Sequence, residues 1–199
     1  MAASLDLLTQ VPPQSEIAWF SEEAGRALYL SGRFEAADAW RALARTSNDP
    51  KAAAGRAPLE VLARLAGQSP KPIDGKLLAA WRQSQPGDGA TARLMAVLGA
   101  LGEPSGAASS QMDLATTQPS QGAPPDPALW LALSDAAAGG RVGETVLLAL
   151  VSLGPDGPEH ANPIVLNQVV TSLRRVGLEG DARAIAMESI LSNAPRPPS

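Results

Sequence analysis

The chain has 199 residues, a net charge of −4, no cysteine and a single histidine. Those counts rule out a disulfide scaffold, thiolate catalysis, cysteine-ligated zinc or iron–sulfur centres, and any mechanism that needs two histidines. The acidic excess is spread along the chain, which leaves no electrostatic footprint for DNA or RNA.

Hydrophobic residues make up 45% and aromatics only 4%, and the apolar set is built on Ala and Leu. That favours closely packed helices, since sheets want Val, Ile, Thr and aromatics. In chain order, Ser15 is placed to cap a helix running to about Leu30, with Ile17, Phe20, Ala24, Ala27 and Leu28 on one face, and Gly32 stops it. A second helix spans Phe34 to about Arg45 and ends at Asn48-Asp49-Pro50. Pro58 reads as a first-turn proline, followed by the stripe Leu59, Leu62 and Leu65. Helices are expected from Ile73 to about Gln83, through Leu77, Leu78 and Trp81, and from Ala90 to Leu101, with Leu94, Val97, Leu98 and Leu101 buried. Residues 103–125 are mostly Ser, Gln, Pro, Gly, Ala and Thr, too poor in apolar surface to offset ordering entropy, and read as a flexible linker.

Packing resumes at Asp126-Pro127, a cap with a first-turn proline, and runs through Leu129, Trp130, Leu133 and Ala137. After a Gly139-Gly140-Arg-Val-Gly143 turn, Glu144–Leu153 forms the partner helix. Asn162-Pro163 opens a helix to Val176, and Gly177 turns into the last one, about Glu179 to Leu191. Most glycines and prolines are thus punctuation between roughly nine helices. The expectation is an all-α fold of stacked antiparallel hairpins, with an N-terminal region (1–102), the linker (103–125), a C-terminal helical region (126–193) and a disordered tail (194–199).

Little in the sequence offers chemistry. Gly139-Gly-Arg-Val-Gly-Glu-Thr145 ends like a phosphate-binding loop, but Glu144 replaces the required Lys and no strand precedes it. It reads instead as an inter-helix turn with Glu144 well placed at a helix N-terminus. His160 sits in a Gly/Pro-rich loop without a nucleophile elbow and reads as a surface histidine. Glu22-Glu23 diverge by about 100° on a helix and read as a solvated edge. No segment approaches the ~18 apolar residues of a membrane span, and the longest run, Thr145–Leu153, fits a buried helix. With no secretory signal pattern, a cytoplasmic location is expected. No catalytic, cofactor-binding or metal-ligating residue is assigned, and no cofactor is expected.

Gly32-Arg-Phe-Glu-Ala-Ala37-Asp-Ala-Trp40-Arg-Ala-Leu-Ala44, preceded by Ala24-Gly25 and Leu28-Tyr29 and followed by Asp49-Pro50, resembles a tetratricopeptide repeat over about residues 15–50. It departs from that pattern in running one residue long to Asp49-Pro50, and in placing Trp40 one position early. A weaker echo sets Gly177 on Gly32, Leu173 on Leu28 and Ala182 on Ala37. The hairpins Ile73–Leu101 and Pro127–Leu153 share the length but not the signature residues. The chain is also similar to C-terminal regions of uncharacterised alphaproteobacterial proteins.

The repeat resemblance implies a stack of helix pairs whose concave face binds a peptide or another helix. The expected function is therefore a non-catalytic protein–protein interaction module or scaffold, with a protein or peptide partner and no nucleic acid or membrane. Trp19 and Tyr29 are candidate anchors, and Arg26, Arg33 and Arg41 a carboxylate-reading edge on the same hairpin. The alternative is a structural helical domain that completes a parent core or a self-associated oligomer. An enzyme of unknown type is the residual reading.

Overall fold

The computed structural model describes residues 2–85, 89–103 and 125–191. All regular structure among them is helical, in ten α-helices and one 3-10 helix. In order they are α1 (Ala2–Gln10), the 3-10 helix (Ser15–Phe20), α2 (Ser21–Leu30), α3 (Phe34–Thr46), α4 (Pro50–Leu65), α5 (Gly75–Ser84), α6 (Gly89–Ala100), α7 (Pro127–Ala138), α8 (Val142–Leu153), α9 (Pro163–Arg175) and α10 (Glu179–Leu191). No helix among the described residues is long and apolar enough to cross a membrane. Residues 104–124 of the expected linker (103–125) and the expected tail (194–199) lie outside the described residues.

Packing divides the chain between Gln85 and Pro86. This moves the boundary expected at 102, because α6 packs on α9 and α10 and belongs to the C-terminal unit. The expected hairpin Ile73–Leu101 is likewise shared out, since α5 packs on α4 in the N-terminal unit.

In the N-terminal unit α2, α3 and α4 pack pairwise, with the 3-10 helix against all three and α1 against α2. Tyr29, Trp40, Leu28, Leu59 and Leu62 fill its core. The helix expected from Ser15 to Leu30 is broken: Ile17 has φ −114° and ψ 18°, and α2 proper starts at Ser21. After the break Phe20 packs edge-on against the buried Trp40, with ring centres 6.0 Å apart, while Trp19 stays 47% exposed. Pro58 does not start a helix either. The start is Asp49-Pro50, where the Asp49 carboxylate accepts from Lys51 N at 2.9 Å and Ala52 N at 3.0 Å, and Pro58 lies buried inside α4. A proline there forfeits one helical hydrogen bond, which the buried ring and the apolar turns around it offset.

Gly25 and Gly55 set the α2–α4 approach. A Cβ at Gly25 would lie 2.5 Å from Leu59 Cδ2, and one at Gly55 would lie 2.7 Å from Glu22 Cβ. Two glycines therefore allow a helix contact that alanines would hold apart.

In the C-terminal unit α9 is the hub, touched by α6, α7, α8 and α10. Its two sides bury Val165, Leu166, Val169, Val170 and Leu173. Asn162 caps it, with Oδ1 accepting from Ile164 N at 2.9 Å, and Asp126 caps α7 in the same way. Buried Leu94, Val97, Leu98 and Leu101 line α6 and its end, as their spacing predicts.

Three hairpins share one turn. At α2/α3, α7/α8 and α9/α10 a glycine with φ of +73°, +68° and +87° (Gly32, Gly140, Gly177) ends the first helix. In each, the next residue's N–H (Arg33, Arg141, Leu178) reaches back to a carbonyl of the first helix, at Leu28, Ala136 and Leu173. The carbonyl of that same residue then accepts from the first buried position of the second helix, at Ala37, Thr145 and Ala182. Side chains larger than these would push the paired helices apart.

Candidate functional site

The hairpin edge expected to read a carboxylate is already occupied from within the chain. Tyr29 is fully buried and its hydroxyl donates to Asp38 Oδ1. Arg41 donates from Nε to the same Asp38 oxygen at 3.1 Å and from Nη1 to Glu60 Oε2 at 3.2 Å. Arg45 closes the array on Glu60 at 2.5 and 2.7 Å. The array thus ties α2, α3 and α4 together. Burial and the bond to Asp38 push the Tyr29 hydroxyl well up. Burial alone would raise the Glu60 carboxyl, but the hydrogen bonds and charges of Arg45 and Arg41 outweigh it and hold Glu60 below its ordinary range.

Arg33 is engaged by α1, donating from Nη1 to the Leu5 carbonyl at 2.6 Å and from Nη2 to Asp6. Arg26 is half-buried beside Glu22, whose carboxyl is raised by burial while the Arg26 charge draws it down. Glu22 is therefore partly inside the α2–α4 contact and does not form the solvated edge expected of it. Trp19 is the exception among the five residues. It is 47% exposed, stacks at a tilt on Phe20, and carries Lys51 Nζ 5.5 Å from its ring centre. Tyr29 and Arg41 are thus fold-forming, Arg26 and Arg33 are engaged within the chain, and Trp19 alone keeps an open face.

A second site lies in the C-terminal unit, where the sequence reading placed nothing. A cavity of about 310 Å³ opens between α7, the end of α8, the 154–162 loop and α9. Leu129, Trp130, Leu133, Val151 and Val165 give it apolar walls, and Asp126, Asp156, His160 and Gln168 add polar groups. Gln168 is fixed by donating to Ser134 Oγ at 2.6 Å.

Ser152, Asp156 and His160 all line this cavity, yet they do not form a relay. The Ser152 hydroxyl donates to the Leu148 carbonyl at 2.7 Å, and His160 Nδ1 faces the main-chain oxygen of Asp156 at 3.2 Å and Glu159 Oε1 at 3.5 Å. A nucleophile needs its base within hydrogen-bond reach, and no hydrogen bond joins Ser152 to His160 among the described residues. Nor do the described residues contain a group of three or more His, Cys, Asp or Glu that could hold a metal ion. The Gly139–Arg141 segment is an inter-helix turn, with Glu144 in the first turn of α8 bonded to Arg141 Nε at 2.5 Å.

Beside the cavity α8 carries an apolar stripe. Leu147, Leu150 and Val151 are 65%, 59% and 64% exposed, while Thr145, Ala149 and Leu153 on the opposite side are buried. Thr145–Leu153 is thus not the buried helix its composition suggests. Its signal was in the sequence all the same. A helix apolar all round, in a fold whose hairpins bury one face, leaves the other face unpartnered. Val151 belongs both to the stripe and to the cavity wall.

Compared with protein-family models, with curated proteins and with solved structures, the chain matches none of them.

Proposed function

We propose that the chain is a non-catalytic helical-hairpin module, of the tetratricopeptide-like kind, that binds a protein partner along α8 and the adjoining cavity. The observation that carries this reading is the stripe of Leu147, Leu150 and Val151, which runs in solvent directly into a cavity with apolar walls. Burying three such side chains against a partner is worth roughly 1.5–3 kcal/mol each before association costs. Contiguous exposed apolar surface of this kind marks interaction sites more often than chance exposure does. The three hairpins with one shared turn support a repeat-like scaffold as the frame that presents it.

Selection of random displayed peptides on the immobilised chain tests the reading. A recurring peptide is expected, with binding reduced at least about tenfold by the paired substitution Leu147→Glu and Leu150→Glu. Both positions are exposed, so the variant should keep its thermal transition. Peptides that bind the variant equally well would remove the site from α8. Concentration-dependent self-association abolished by the same pair would favour the structural alternative, in which the stripe completes an oligomer.

A further inference from the structure

Resting on the protein-binding reading above, we propose a chemistry for what the cavity takes: a partner segment in which an apolar side chain is flanked by lysine or arginine. Size comes first. Small-molecule sites run from about 300 to 1,000 Å³, and a cavity of about 310 Å³ stands at the bottom of that range. It suits one or two side chains inserted from a segment lying along α8, since Val151 joins the cavity to the exposed stripe.

Charge decides the rest. Among the described residues Asp126 and Asp156 line the cavity, and no lysine or arginine does. Asp126 caps α7 with Oδ1, accepting from Ala128 N at 2.8 Å and Leu129 N at 3.3 Å, and its other oxygen makes no bond to the described chain. Helix ends add partial charges of about half an electron: the C-terminal carbonyls of α8 are negative, and the N-termini of α7 and α9 positive. The α7 end is covered by Asp126 itself, and the ends of α8 and α9 offset each other. About one and a half negative charges remain, because the α7 end offsets roughly half of the Asp126 charge. An occupant with a carboxylate would meet them, whereas a lysine or arginine beside the inserted side chain would pair with them, and Trp130 on the wall can add a cation–π attraction.

Three capped tripeptides test this on the intact chain: acetyl-Leu-Arg-Leu-amide, its Gln analogue and its Glu analogue. Binding is read from the indole N–H of Trp130, assigned with Trp130→Phe, and the amide of Gly154 in nitrogen–proton spectra. The expected order is Arg, then Gln, then Glu, with about fivefold or more between the first and last. The pair Asp126→Asn and Asp156→Asn should flatten that ratio below about twofold. Asparagine caps a helix as well as aspartate does, so α7 should persist in that variant. Equal shifts from all three peptides would overturn the charge preference while leaving a protein-binding cavity intact. Preference for Glu, or no cavity shift from any peptide up to about 10 mM, would overturn the proposal. Failure of the underlying reading shows elsewhere, as displayed peptides indifferent to Leu147→Glu and Leu150→Glu.

Discussion

Arg174 donates from Nη1 to the carbonyl of Ala100 at 2.6 Å, across 74 residues of sequence. Ala100 ends α6, so its carbonyl has no partner within that helix, and a guanidinium there satisfies both the oxygen and the negative helix end. Two further side-chain-to-main-chain bonds join α6 to its neighbours. Asn167 Nδ2 donates to the Ala96 carbonyl at 2.8 Å, and Arg93 Nε donates to the Ser189 carbonyl at 3.0 Å. Helix α6 is held to α9 and α10 by side chains gripping main chain.

Arg174→Met should therefore loosen α6, together with the start of α10, where Arg174 Nε also donates to Glu179 Oε2 at 2.7 Å. Losing a charge-assisted bond to a helix-end carbonyl costs about 1–3 kcal/mol. Hydrogen exchange should show α6 amides exchanging faster in the variant, with those of α2 to α4 unchanged. Unaltered protection in α6 would mean that apolar contact alone holds it.

Gly25→Ala sets two effects against each other. Alanine gains up to about 1 kcal/mol of helix propensity, but its Cβ would stand 2.5 Å from Leu59 Cδ2. Overpacking of this kind costs about 1–3 kcal/mol, so net destabilisation is expected. Adding Leu59→Ala should remove the clash, making the double variant less unstable than the two single losses summed. Simple additivity in denaturant titrations would show that Gly25 is not set by Leu59.

How far the sequence foretold this depends on the residue. Helices α7 and α9 are legible because cap and first-turn proline act within one turn, and α10 because the stop glycine Gly177 does. Asp49-Pro50 carried the same cap signal. In sequence it marks the end of α3, and its second role as the start of α4 is hidden because a three-residue connection makes one dipeptide both stop and start. Helix α1 has no local signal in the sequence, because Arg33 and α2 hold it and neither contact has a local pattern. The partner edge failed for a related reason. Charge and ring at Tyr29 and Arg41 look available in sequence, while Asp38, which takes the Tyr29 hydroxyl, and Glu60, which takes Arg41, come from other helices; the Asp38–Arg41 pair alone is local to α3. The cavity was invisible because its wall residues run from Pro125 to Gln168 and meet only through packing.

The shared turn predicts equal sensitivity at positions the sequence ranked unequally. Gly32, Gly140 and Gly177 all have φ between +68° and +87° with open space around the missing Cβ. Alanine at each should cost about 1–2 kcal/mol from backbone strain alone. The Gly140→Ala loss should match Gly32→Ala within about 0.5 kcal/mol, although only the Gly32 hairpin carries the repeat signature. Thermal or chemical melts of the three variants check this, and a silent Gly140→Ala would remove α7/α8 from the set.

Glu60 and Glu22 should respond to pH with opposite signs. Arg45 and Arg41 hold Glu60 below its ordinary value of 4.5 despite its burial. Its contribution is therefore complete above that value and is lost as pH falls through the lowered one. Glu60→Gln should cost about 1–2 kcal/mol at pH 7, and the cost should shrink in acid. Glu22 is the reverse, raised above 4.5 by burial, with Arg26 opposing and Glu23 adding to the rise. The folded state there prefers the neutral acid, so stability is gained as pH falls through the raised value. Glu22→Gln should thus stabilise at neutral pH by less than about 1 kcal/mol, and its advantage should fade on acidification. Parallel pH profiles for the two variants would mean that burial beside Gly55 does not govern Glu22, whereas crossing profiles would place both carboxyls in the environments described.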